Sequence, residues 1–321
     1  MVDKSNEYGY IGASPTQSSS ANTGIFEAND VVDLLNTGQY KLQLVNVDYL
    51  VIAGGGAGGQ TSGTNNSRGA GGGGAGGYRT SYGTGNISGA NSAVETTLVL
   101  NKGQEYALEV GAGSPVKYVN GSASNFATVS TVGGGFGGLN SNKGNGGSGG
   151  GSGHSGSGGT GTANEGRNGG GGYNSGVGNG TFAGGAGGGA SAVGASSTSN
   201  FTAPGGAGLA SSITGSSVTR AGGGGALRTA ATNTSSLGAG GAGGGGSAGS
   251  TGVSGTPATG GGGGGGHNGG PGLGGSGTVI LRYPNSSTIS LGTGVTSTAG
   301  EQTDGADKYI ELIGSGNVSI G

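Results

Sequence analysis

Glycine occupies 92 of the 321 positions and is gathered into dense blocks at 54–59, 69–77, 133–138, 144–161, 169–189, 222–225 and 238–277. With no Cβ, a glycine backbone reaches conformations closed to other residues and can lie directly against another backbone. Ordering it also costs more entropy than ordering any other residue. A chain of this kind either stays disordered, as Gly/Ser-rich linkers do, or packs backbone against backbone.

Several protein classes are excluded at once. Collagen needs a sustained Gly-X-Y phase rich in proline, and this chain has 6 prolines and no such phase. A net charge of −2 with 8% charged residues argues against partners captured by bulk electrostatics, and nucleic-acid binders show a basic face. Within 133–277 the only acid is Glu165, against Lys143, Arg167, Arg220 and Arg228, an excess too dilute to suggest DNA. With no cysteine there is neither a disulfide framework nor a thiolate metal site. Residues 1–10 (MVDKSNEYGY) carry no apolar core of a secretory signal. No stretch approaches the roughly 18 apolar residues of a membrane helix. The chain reads as made in the cytoplasm, without disulfides or membrane insertion.

Four regions separate on composition. Residues 1–39 contain one helical signal at 29–38 (NDVVDLLNTG), where Asn29 or Asp30 caps, Val31, Leu34 and Leu35 share a face, and Gly38 closes the end. Residues 40–132 form a β-rich framing region. Its strongest strand is 40–53 (YKLQLVNVDYLVIA), followed by Thr96–Leu100 and Glu105–Gly111 as a hairpin about 101–104, and by Asn125–Val132. Residues 133–277 are the glycine body, and 278–321 close the frame with strands at Thr278–Tyr283, Ser287–Leu291 and Lys308–Ile313. A linker would not need such apolar brackets. In the body, glycine blocks alternate with short interruptions of irregular length, unlike the fixed period of a solenoid. Block, turn, block is the pattern of packed rods. The expected fold is therefore mostly non-regular: a bundle or sandwich of polyglycine II-type helices framed by β-strands, with one short N-terminal α-helix.

The segments 24–40 (GIFEANDVVDLLNTGQY), 47–56 (VDYLVIAGGG), 74–79 (GAGGYR), 211–222 (SSITGSSVTRAG) and 274–283 (GGSGTVILRY) carry a resemblance. In this order they resemble the glycine-rich virion proteins of tailed bacteriophages, many of them tail-fibre or adhesin components. The resemblance implies the framed polyglycine sandwich, with tip loops able to touch a host surface receptor, a protein or a glycan. It also implies a place on the virion, with residues 1–39 attaching the chain to other virion proteins.

No catalytic signature emerges, and the chain reads as no enzyme. His154 and His267 lie in glycine blocks with no carboxylate or second histidine nearby in sequence; they read as solvated or loop-tip residues, with metal binding or general-base work as the alternative. Gly54, Gly56 and Gly59 after an apolar strand meet half of the dinucleotide fingerprint. The continuation at 60–69 (QTSGTNNSRG) cannot form the helix that fingerprint needs. No Asp occurs between Asp48 and Asp304, which rules out the calcium-binding glycine nonapeptide. No cofactor or metal is expected.

The aromatic residues Tyr78, Tyr82, Phe136, Tyr173, Phe182 and Phe201 punctuate the body. A loop-tip tyrosine is a rigid amphipathic contact and stacks on sugar rings; the other reading is that these rings cover the flanks and anchor the body to its frame. Asn65, Asn66, Arg68, Asn164, Arg167, Arg228 and Asn233 are hydrogen-bonding residues of the interruptions, either receptor contacts or plain solvated loops. With Tyr173, Phe182 and Phe201 they make up the candidate receptor-binding set. The preferred reading is a non-enzymatic virion adhesin, with a purely structural capsid, neck or tail decoration as the alternative. Ice binding by flat Ala/Ser/Thr/Gly faces, and outright disorder, are further readings. Homo-oligomers are open.

Overall fold

The computed structural model describes residues 43–61, 68–85, 87–176, 182–199, 203–229 and 236–321. The regular structure is β. A six-stranded sheet runs in the order β15 (Gln302–Asp304), β16 (Asp307–Leu312), β13 (Thr278–Pro284), β1 (Leu44–Ile52) and β2 (Tyr78–Thr80), with β3 (Leu98–Asn101) also paired to β1. A five-stranded sheet runs β14 (Ile289–Leu291), β17 (Gly316–Ile320), β4 (Glu105–Glu109), β5 (Ser124–Phe126) and β6 (Val129–Thr131). Two smaller sheets lie within the glycine body. One pairs β9 (Leu209–Ser211) with β10 (Val218–Arg220), and the other runs β12 (Ser236–Leu237), β11 (Leu227–Thr229), β8 (Phe182–Ala183) and β7 (Tyr173–Asn174).

The alternation of β1 shows why the frame holds. Successive side chains of a strand point to opposite faces, and here both faces are covered. Val45, Val47, Tyr49 and Val51 join Val279, Leu281 and Tyr283 of β13 and Phe126, Leu108, Val318 and Ile320 of the five-stranded sheet in one core. Leu50 and Ile52 point the other way and pack with Ile280, Tyr78, Ile213, Ala75 and Ala221. The antiparallel register sets Leu50 opposite Ile280 and Val51 opposite Val279, so the two apolar strands stack face for face. Each fully buried Val, Leu or Ile of this set contributes about 1.5–3 kcal/mol. Ser124 stitches the layers: its hydroxyl donates to Ile52 O at 2.8 Å and accepts from Gly111 N at 2.8 Å. Arg282 on β13 is buried against Asp304 (2.7 Å) and Asp307 (3.0 Å) and donates to Ile213 O (3.2 Å), which ties the frame to the turn before β10.

From this frame the glycine runs extend side by side. Gly71, Gly74 and Gly77 donate to Gly138 O, Gly135 O and Val132 O; Gly73 and Gly76 donate to Gly263 O and Gly260 O; Gly72 and Ala75 donate to Gly185 O and Gly188 O. One segment is thus hydrogen-bonded to three neighbours, and every one of these amides is satisfied by backbone, as a buried amide must be. A Cβ at Gly71, Gly72, Gly73 or Gly74 would fall on a carbonyl oxygen of an adjacent segment. Glycine is required here because the backbones touch.

The expected fold class is corrected on several counts. The body is not a bundle of polyglycine II-type helices standing between separate strands: the described regular elements are antiparallel β-strands, and the one helical element is a three-residue 3-10 turn at Gly89–Asn91. The physical reason is that the β-branched and aromatic residues interrupting the glycine blocks pair with one another inside the body, as Phe182 does with Thr229 and Val218 with Ser211. The helix expected at 29–38 lies outside the described residues. The hairpin expected about 101–104 is not formed. β3 and β4 flank a turn there, yet β3 pairs β1 while β4 pairs β17 and β5. The single strand expected at 125–132 is two strands folded back on one another, with Ala127 at φ 51 in the turn.

Candidate functional site

The body has two ends. At the frame end Ala53 N bonds Gly77 O (3.0 Å), Gly77 N bonds Val132 O (2.8 Å) and Gly260 N bonds Ser276 O (2.8 Å). At the other, far end the same segments turn back: Thr61 N bonds Gly266 O (3.0 Å), Gly71 N bonds Gly138 O (2.9 Å) and Ala70 N bonds Leu227 O (3.3 Å). Side chains with chemistry gather at this far end.

The β12-β11-β8-β7 sheet is the first part of it. Short runs of aromatic, β-branched and charged residues between glycine blocks form these strands because glycine cannot supply cross-strand side-chain pairs. Register places Tyr173, Ala183 and Arg228 in one row, since Ala183 lies opposite both Tyr173 on β7 and Arg228 on β11. Ala183, fully buried, separates the two in that row. Phe182 belongs to the neighbouring row with Asn174 and Thr229, and its ring meets His154 edge-on at 5.3 Å. Arg68 is exposed beside this sheet, its carbonyl accepting from the Thr229 hydroxyl at 2.9 Å. Burial lowers the His154 pKa, and the Arg68 charge lowers it further. The His154 Nδ1 is buried with no hydrogen-bond partner among the described residues.

The second part was invisible in the sequence reading. Tyr118 donates its hydroxyl to Gln60 O at 3.0 Å, stands edge-on to Phe136 at 6.3 Å, and lies under the Lys117 ammonium at 5.6 Å. Lys117 itself reaches Gln60 Oε1 at 3.0 Å. Tyr118 has φ 62, a left-handed conformation that a bulky residue adopts only when its surroundings hold it there. Thr61 Oγ1 and His267 Nδ1 are 2.6 Å apart, so His267 is tied in rather than simply solvated. Burial raises the Tyr118 hydroxyl above its ordinary pKa, against the hydrogen bond to Gln60 O and the charge of Arg68. The available signal was the run 115–120 (PVKYVN), a proline-led interruption carrying a charge and an aromatic between two glycines.

Of the candidate receptor-binding residues, the structure brings together Arg68, Tyr173, Phe182 and Arg228. Asn164 and Arg167 are not with them. Asn164 is exposed at φ 63 in a turn at the frame end, where Glu165 O accepts Tyr78 N at 3.0 Å, and Arg167 N bonds Gly189 O in the same region. Asn65, Asn66, Phe201 and Asn233 lie outside the described residues. Among the other aromatics, Tyr78 is wholly buried in the second core and Tyr82 lies beneath Arg282 at 5.1 Å, both fastening body to frame. Burial raises the neighbouring Glu165 carboxyl above its ordinary pKa, against the opposing Val132 N–H (2.8 Å) and the charge of Arg79.

The glycines of the half-matched dinucleotide fingerprint have another use. A Cβ at Gly54, Gly56 or Gly59 would fall on the backbone of Ala112, Gly135 or Gly138. Their close approach is to neighbouring protein segments, leaving no cradle for a phosphate. Among the described residues no group of three or more His, Asp or Glu side chains is placed to hold a metal ion, and no helix is long and apolar enough to cross a membrane.

Fold and site together define a glycine-scaffolded β protein, in which backbone packing builds the body between a strand frame and a far end that carries cations and rings. The model of the glycine-rich domain family matches residues 36–284, most of the chain, and the protein belongs to that family. Comparison with curated proteins and with solved structures found no match.

Proposed function

We propose that this protein is a non-enzymatic receptor-binding component of a virion, a tail-fibre adhesin whose far end contacts the host surface. The observation that supports it is the gathering of Arg68, Tyr173, Phe182 and Arg228 with Lys117 and Tyr118 at one end of a body otherwise made of glycine backbone. Tyrosines and arginines are among the residue types that dominate binding surfaces. A rigid body that carries them away from its strand frame suits display. In this reading residues 1–39 attach the chain to the particle, and affinity is multiplied by copy number.

The test is binding of the labelled full-length protein to a panel of bacterial isolates, with excess unlabelled protein as competitor. Saturable, competable binding to particular isolates is expected, weakened by Tyr173→Ala at unchanged unfolding midpoint. No saturable binding to any isolate, even after multimerising the protein, would sink the adhesin and leave a structural decoration of the particle.

A further inference from the structure

The overall charge of −2 conceals a separation of charge that only the fold reveals. Nine of the 14 carboxylates lie between Asp48 and the C-terminus, and all nine sit in or against the strand frame. Asp48 is on β1, Glu105 and Glu109 are on β4, and Glu311 is on β16. Glu95 bonds Arg79 and Tyr49; Glu165 bonds Val132; Glu301 accepts from Tyr283; Asp304 and Asp307 hold Arg282. The far end carries Arg68, Lys117, Arg228, His154 and His267, with Lys143 on the turn after Leu139, and no carboxylate among its described residues. The cations there stand among rings: Lys117 over Tyr118, Arg68 exposed beside the strand that carries Arg228, and Arg228 in register, through Ala183, with Tyr173.

We infer that the far end binds an acidic polysaccharide, a polymer of carboxylate-bearing sugars such as uronates. Guanidinium groups match carboxylates with two parallel hydrogen bonds, and aromatic faces take the apolar side of a sugar ring. The exposed Arg68 and Lys117 with the half-buried Tyr118 and Tyr173 offer one chain of such sugars both kinds of contact. A nucleic acid fits less well, because a DNA footprint commonly neutralises about six to ten phosphates and this end offers four permanent cations. The inference rests on the adhesin reading for its biological setting, though not for its chemistry.

The experiment uses the full chain and four immobilised probes: alginate, carboxyl-reduced alginate, poly-L-glutamate and duplex DNA. Retention on alginate above all three others is expected, falling with added salt as screening shortens to a few ångströms near 1 M. Arg68→Gln and Lys117→Gln, both exposed, are each expected to weaken alginate binding about five-fold, with unfolding midpoints unchanged. Soluble alginate is expected to displace the protein from isolates it binds. Equal retention on poly-L-glutamate or DNA means mere charge attraction and overturns the inference. Binding to cells that alginate neither supports nor competes overturns it while leaving the adhesin reading intact. Binding to alginate without binding to any isolate supports the sugar site and refutes the adhesin.

Discussion

Replacing Gly73 with alanine tests whether backbone contact holds the body together. The Gly73 amide donates to Gly263 O at 2.8 Å, and its carbonyl accepts from Gly224 N at 2.8 Å. A Cβ there would fall on the carbonyl oxygens of Gly56 and Ala57, and its nearest neighbours are all main chain, so no side chain can swing aside. Forcing a methyl into close-packed interior costs about 1–3 kcal/mol. Parting the segments lengthens both hydrogen bonds, at about 1 kcal/mol each. Alanine's stiffer unfolded chain offsets about 0.4–1 kcal/mol. The expected loss is about 3 kcal/mol, a large share of the ~5–15 kcal/mol that holds a folded domain. With an unfolding entropy of about 2.1 cal/mol/K per residue over 321 residues, that lowers Tm by about 4–5 °C. Gly171→Ala is the control, because the nearest atom to its Cβ is Gly156 O at 3.0 Å and the next is the Ser196 hydroxyl at 3.6 Å. It is expected to shift stability by less than about 1 kcal/mol. Scanning calorimetry and urea unfolding read both variants. A Gly73→Ala protein as stable as Gly171→Ala would refute the claim that these glycines are required by touching backbones.

Two further outcomes follow from buried polar groups in and beside the frame. Ser124→Ala leaves Ile52 O and Gly111 N without their buried hydroxyl partner and is expected to cost about 2 kcal/mol in urea unfolding; an unchanged midpoint would mean that water replaces the hydroxyl. Burial raises the Glu165 carboxyl in the folded state, so its contribution is fully present below the ordinary value of 4.5 and is lost as pH rises through the raised folded value. The stability of the wild type relative to Glu165→Gln should therefore fall with rising pH over that window and then level off, and a difference that rises with pH would contradict the buried state of this carboxyl.

How far the sequence reached differs from segment to segment. The strands at β1 and β13 were legible because 40–53 and 278–283 are dense in β-branched and aromatic residues; the described strands are Leu44–Ile52 and Thr278–Pro284, with 40–42 outside the described residues. The strands inside the body were not, because two or three residues such as Tyr173–Asn174 or Phe182–Ala183 are too short to show a period. Lacking that signal, the glycine blocks read as helical rods. At the far end, Arg68, Tyr173, Phe182 and Arg228 were picked out by residue type alone, and the same criterion also picked Asn164 and Arg167, which the fold places at the frame end. Lys117 and Tyr118 were passed over because their only local mark is the proline-led run 115–120, which shows no partner. Their role depends on Gln60, 58 residues earlier than Tyr118.

By itself, the sequence determined the material of this protein. Glycine in blocks dictates that an ordered form must pack main chain on main chain, since only there does losing the side chain bring a compensating hydrogen bond and contact. Apolar runs at 44–52 and 278–284 dictate a strand frame, since burial of those side chains is the strongest local driving force available. Tertiary structure alone decided partners. It sent β3 and β4 to different sheets, separated the frame's carboxylates from the cations of the far end, and brought Thr61 to His267 and Arg68 to Thr229 across 206 and 161 residues. Glycine segments are nearly interchangeable in sequence, so which one lies beside which is set by the closure of the whole body, and the site at its end exists only once that closure is made.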